Sequence, residues 1–192
     1  MRHGKTWAGF LLLFGAMQFV LCLAAAETLR PAYSVRQNMI SELGVGQNAI
    51  LFNASIALLG ICAILSAYFM LKHFNDTVLF ALMCFAGLGA IGVGAFPMNT
   101  SALHAASALC AFFFGALSAI WSAKYQRMEL AALSVALGII SLVALCFLAT
   151  RSPTPFGPGG IERFVKFPVL IWGLLFGGSL LAKKEEKKMN DA

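Results

Sequence analysis

Few side chains in this sequence can do chemistry, and they gather in three short stretches. These are Asn38-Met39-Ile40-Ser41-Glu42, Asn99-Thr100-Ser101 with His104 shortly after, and Glu162-Arg163 with Lys166. A carboxylate or an imidazole can take a proton, and a guanidinium can hold an anion with paired hydrogen bonds. Glu42 and His104 are therefore the candidate general bases. Asn38, Ser41, Glu162 and Arg163 are the candidates for binding a polar or anionic group. His104 follows three residues able to cap a helix, which puts it in or near a first helical turn. A lone interfacial histidine can also do no more than hydrogen-bond a loop carbonyl. His3 and His73 fall at the opposite end of the chain's apolar runs, so bis-histidine haem ligation is not available. No zinc spacing occurs, and no cofactor is implied. The five cysteines, Cys22, Cys62, Cys84, Cys110 and Cys146, sit singly in apolar runs without a CxxC pair. They read as packing residues.

The segments that must position these groups are more apolar than a soluble fold tolerates. The 192-residue chain is 60% hydrophobic and 11% charged, against about 45–50% and about 25% in soluble proteins. A bilayer solvates such a chain, and helices then satisfy its backbone. The long unbroken apolar runs do not suit the short alternating strands of a barrel. The expected fold class is all-α, a polytopic bundle of six transmembrane helices over 7–26, 49–71, 77–96, 101–123, 130–150 and 161–182. Residues 1–182 then form one domain and 183–192 a charged tail, anchored by anionic lipid. Pro168 kinks the last span if that helix starts early enough to include it.

Lysine and arginine counts set the orientation. With the N-terminus inside, the inner side holds Arg2, Lys5, Lys72, Lys124, Arg127, Lys183, Lys184, Lys187 and Lys188. The outer side holds Arg30, Arg36, Arg151, Arg163 and Lys166, so the balance is nine to five. Both termini are expected in the cytoplasm of a cell-membrane protein, with Trp7 and Trp121 near the inner interface. Ala24-Ala25-Ala26 after an apolar stretch resembles a signal-peptide cleavage site, but the stretch is long and reads as a retained span. The net charge of +6 is topology-setting charge and not a nucleic-acid surface. The expected partner is membrane lipid, and the oligomeric state is not legible. Gly87, Gly89, Gly92 and Gly94 match a dinucleotide fingerprint only on paper, since no strand precedes them. They read as small residues that let helices approach.

The polar residues are unevenly shared between the two sides. The inner connections are short and ordinary, whereas the outer ones hold nearly every distinctive polar group. In the first outer loop Ser34 and Gln37 fit a capping box, with Pro31 before and Gly44 after, predicting a short amphipathic helix over 35–43. That helix either lies on the membrane surface or closes over the bundle and lowers Glu42 into a cavity. The third outer loop is rich in proline and glycine. Beyond it Arg163 and Lys166 oppose the helix dipole, so partners are expected: Glu42, Glu162 or lipid phosphate for Arg163, and snorkelling for Lys166.

Several of these stretches resemble one known family. Tyr33-Ser34 with Asn38, then Ile40-Ser41-Glu42-Leu43-Gly44, is similar to the signature of the membrane family called domain of unknown function 998. So are Leu51-Phe52-Asn53, Gly94-Ala95-Phe96-Pro97 with His104, and Gly160-Ile161-Glu162-Arg163 with Pro168 and Trp172. The family often has aspartate where this chain has Glu42, which keeps the carboxylate. The resemblance implies a six-helix prokaryotic membrane protein and no particular reaction. Three functions follow from the residues. The first is an extracytoplasmic site that binds or hydrolyses a lipid or other amphiphile, with Glu42 or His104 as base and Arg163 on the headgroup. The second is a clamp in which a Glu42–Arg163 ion pair only supports the fold. The third is a small transporter using Asn53, Ser55, Ser66, Ser107 and Ser118.

Overall fold

A computed structural model describes residues 2–100 and 102–182. The tail expected as a lipid anchor, Ser101 as a helix cap, and the side chains of Arg2 and His3 lie outside the described residues. Six long helices account for nearly all of the rest: α1 (Arg2–Thr28), α2 (Ala49–Phe74), α3 (Thr77–Ala95), α4 (Ala102–Ser122), α5 (Met128–Ala149) and α6 (Gly157–Leu181). All six are long and apolar enough to cross a membrane. The shortest, α3, has 19 residues and rises roughly 29 Å, which matches a hydrocarbon core about 30 Å thick.

The helices form a closed ring in chain order, with α6 returning to pack on both α1 and α5. Outward faces carry Phe10, Leu21, Leu88, Ile139 and Val143, all well exposed, as a lipid-facing surface requires. Inside, Phe19, Phe52, Val93, Phe112 and Val165 fill one half, and Leu12, Met70, Met83, Trp172 and Phe176 fill the other. The glycine string of α3 works as expected. A Cβ on Gly87 would stand 2.7 Å from the Gly60 carbonyl of α2, and one on Gly89 would collide with the backbone of Ala111 on α4.

Connections 29–48, 96–100 and 150–156 share one end, the long-loop end. Among the described residues, the connections at the opposite end are tight turns. Those turns are less ordinary than their length suggests. Asp76 caps α3 by accepting the Val78 and Leu79 amides. Its other oxygen accepts from Trp121 Nε1 at 2.9 Å, Tyr125 Oη at 2.8 Å and Lys124 Nζ at 3.0 Å. Burial works against its ionisation, but these donors outweigh burial and hold the carboxyl well below the ordinary carboxylate range. Its stabilising effect is therefore full above the usual carboxylate pKa near ~4 and is lost as acid titrates the folded state. Asp76→Ala is expected to cost about 2–4 kcal/mol, read as a lower melting temperature in detergent at pH 7. Asp76→Asn keeps the cap but loses the second oxygen, and is expected to cost less.

Two elements differ from expectation. α6 starts at Gly157, four residues earlier than the apolar pattern suggests, because Pro158 suits a first helical turn. The helix continues through Pro168, which leaves the Phe164 carbonyl without its usual amide partner. One residue along, Ser141 of α5 donates to the Val165 carbonyl at 2.7 Å. The amphipathic α-helix over 35–43 is not present. Ser34 to Asn38 forms a turn, Met39 is extended, and a single 3-10 helix, Ile40–Gly44, follows with four of its five residues buried. Gln37 does not reach back to Ser34; the Asn38 side chain takes the Ser34 amide instead, at 2.9 Å.

Candidate functional site

The first long loop is tied down by two separate arginines. Glu42 does not descend into the bundle. Its carboxylate accepts the Met39 amide at 2.8 Å and the Asn38 side-chain amide at 2.9 Å. Its ion-pair partner is Arg30, at 3.4 Å, which also donates to the Glu42 carbonyl. Arg163 makes no pair with Glu42, against expectation. Its Nη1 donates to the Val35 carbonyl at 2.8 Å and the Gly159 carbonyl at 2.9 Å. Its Nη2 donates to Glu27 of α1 and to Tyr33 Oη at 3.0 Å. Burial pushes the Tyr33 phenol up, and the adjacent guanidinium only partly offsets that. Arg163 therefore fastens α1, α6 and the loop together, and its donors are already engaged by the protein. Gly159 makes the fit possible, since a Cβ there would collide with the Asn38 carbonyl.

Glu162 and Lys166 occupy the interior instead. Glu162 is 1% exposed and Lys166 is 3% exposed, so Lys166 does not snorkel. It lies nine residues into α6, roughly 14 Å along the axis, and its Nζ meets Glu162 at 2.8 Å. Glu162 also accepts the backbone amides of Ile40 and Ser41 and the Ser41 hydroxyl. Four donors fill the carboxylate's roughly four lone-pair positions. Lys166 donates further to Ser41 Oγ at 3.3 Å and stands between the rings of Phe52 and Phe112, 5.6 and 5.4 Å away. The helix at 35–43 fails for this reason: a carboxylate from a distant helix claims the amides that would otherwise bond locally. The Glu-to-Lys spacing of four, favoured on a helix, was the sequence signal for this pair.

His104 is 7% exposed in the first turn of α4. Its Nδ1 lies 2.8 Å from the Phe96 carbonyl. A carbonyl can only accept, so Nδ1 carries the proton and Nε2 is left as an acceptor in the neutral ring. Nε2 makes no protein hydrogen bond among the described residues.

His104, Ser41 and Glu162 line one cavity of about 1020 Å³ at the long-loop end. Its walls are apolar, with Leu109 and Phe112 from α4, Leu145 and Leu148 from α5, and Ile161 from α6. Arg151, Ser152 and Thr154 complete its rim. Of the six residues singled out in sequence, three share this space. Asn38, Glu42 and Arg163 belong to the loop fastening and do not line it. Below, a second space of about 90 Å³ lies at the bundle centre, lined by Lys166, Ser118 and Trp172 among apolar groups. Phe112 borders both.

No curated protein and no solved structure matches the chain. One family model does, over residues 13–179, which takes in four helices whole, most of α1 and α6, and every residue of the cavity. The chain is thus a multi-pass membrane protein belonging to the family described as "Protein of unknown function (DUF998)".

Proposed function

We propose that the protein binds a membrane amphiphile in the cavity at its long-loop end, on the extracytoplasmic side of the cell membrane. The shape and chemistry of the cavity carry this reading: one continuous space with apolar walls and polar groups confined to one end. Its lining on α4 runs from Ala102 to Phe112, a rise of roughly 15 Å. That is half of a hydrocarbon core about 30 Å thick, the depth of one leaflet. A lipid tail fits along Leu109, Phe112 and Leu145 while its headgroup meets His104 and the rim. The lysine and arginine balance supports placing this end outside.

Binding is favoured over hydrolysis. Glu162 already accepts four hydrogen bonds, so it is a poor acceptor for a proton from substrate water. Ser41 donates to that same carboxylate and has no free base beside it. Of the two candidate bases, Glu42 faces Arg30 outside the cavity, and His104 lines the cavity with no hydroxyl or carboxylate hydrogen-bonded to its ring among the described residues. Transport is disfavoured because Asn53, Ser55, Ser66 and Ser118 each donate to a backbone carbonyl.

Ala105 of α4 and Ala149 of α5 line the cavity and are exposed, so either can become tryptophan without disturbing the core. Ala105→Trp and Ala149→Trp are each expected to reduce co-purifying lipid about tenfold or more, with an unchanged melting temperature in detergent. Native mass spectrometry reads the first quantity. Full lipid retention in both variants would overturn the reading. A second reading, a purely structural clamp, draws support from the near-complete internal satisfaction of buried polar side chains, with only the Asn53 Oδ1 atom left over among the described residues. It expects no lipid retention by the unaltered protein.

A further inference from the structure

We infer that the amphiphile carries an anionic headgroup, held at the cavity rim by Arg151; this rests on the binding reading above. The argument is a charge balance. Five cations stand at the long-loop end. Arg30 pairs with Glu42, Arg163 with Glu27, and Lys166 with Glu162. The side chains of Arg36 and Arg151 have no carboxylate or hydrogen-bond partner among the described residues.

Arg151 is the unpaired cation that lines the cavity, beside Ser152 and Thr154. Arg36 stands just behind the rim, since its Cγ lies 3.0 Å from where a Cβ of Gly157 would be. The one carboxylate on the cavity wall is Glu162, and Lys166 neutralises it. The net uncompensated charge around this space is therefore positive. A low-dielectric wall strengthens that field, because counter-ions and water are kept to one side.

The backbone at Arg151 adds an independent observation. It follows α5 with φ of +52°, a left-handed position that glycine or asparagine fills with least strain. A bulky cation stands there instead, and the polar hydroxyls of Ser152 and Thr154 come with it to the rim. Guanidinium recognises phosphate or carboxylate by paired hydrogen bonds. The hydroxyl side chains can complete the contact, and the apolar wall below takes the chain. The ligand class is thus an anionic single- or double-chain lipid, with an uncharged or zwitterionic lipid as the weaker competitor.

The test uses the full-length protein in detergent, delipidated and then titrated with phosphatidylglycerol or phosphatidylcholine, with bound lipid counted by native mass spectrometry. The unaltered protein is expected to favour phosphatidylglycerol about fivefold to tenfold, falling with added salt. Arg151→Gln is expected to bring the two lipids within about twofold, by weakening phosphatidylglycerol binding more than phosphatidylcholine binding. Arg151→Lys is expected to keep most of the preference. Ala105→Trp is expected to abolish binding of both. Equal binding of the two lipids by the unaltered protein, or a preference that survives Arg151→Gln, overturns the headgroup assignment and leaves the cavity reading standing. Absence of binding by either lipid overturns both. Inorganic phosphate at the same concentration is expected not to displace phosphatidylglycerol; displacement would mean a free anion site, and would also overturn the assignment.

Discussion

Lys166→Met is expected to destabilise the protein by about 3–5 kcal/mol, among the largest losses any single substitution here can produce. The reason lies in what remains and not in what is removed. Methionine fills the lysine's volume between Phe52 and Phe112, but Glu162 is left as a buried carboxylate without its cation. Glu162→Leu is expected to cost at least as much, because it strands the Lys166 charge and the Ile40 and Ser41 amides together. The double variant is expected to cost clearly less than the sum of the singles, since both charges leave together. It does not return to the starting stability, because the two amides still lack an acceptor. Melting in detergent reads all three variants, with an expected drop on the order of 10 °C for each single change. Strict additivity would mean that the two side chains do not act as a pair.

Arg163→Lys is expected to behave almost as badly as Arg163→Ala, at about 2–4 kcal/mol. A guanidinium reaches Val35, Gly159, Glu27 and Tyr33 at once, in two directions. An ammonium on a flexible stem cannot match that fork. The loss is local before it is global: amides in 33–45 are expected to exchange with solvent much faster, while those of α2 and α3 stay protected. Hydrogen exchange by mass spectrometry separates the two. If Arg163→Lys leaves exchange in 33–45 unchanged, the loop is held by Glu162 and Arg30 without it.

The helices were legible because apolar length is a strong signal. The run at 77–96 became α3 over Thr77–Ala95, and that at 49–71 became α2 over Ala49–Phe74. Pro158 carried the information for the early start of α6, but its glycine neighbours made the segment read as loop. The candidate site was half legible. Residue type and spacing pointed to His104, Ser41 and Glu162, which do line one cavity. The same reasoning paired Glu42 with Arg163, and that pairing is wrong. Arg30 is twelve residues from Glu42 and Glu27 is far from Arg163 in sequence, and no local periodicity reports which carboxylate a cation will reach. Lys166 was misread because a lysine near a helix start usually snorkels, although Glu162 one turn earlier was visible. Asp76 was passed over with the inner connections as ordinary, and the convergence of Trp121 and Tyr125 on it depends on how α4 ends against α3.

The bond from Glu162 to the Ile40 and Ser41 amides joins residues more than 120 positions apart, and Arg163 reaches back further still to Glu27. During synthesis, the segment after α1 emerges before α6, so the Ile40 and Ser41 amides find their acceptor only once that later helix is made. The sixth helix thus acts as the latch on the first long loop, and its insertion is the step that turns a row of membrane helices into a closed ring.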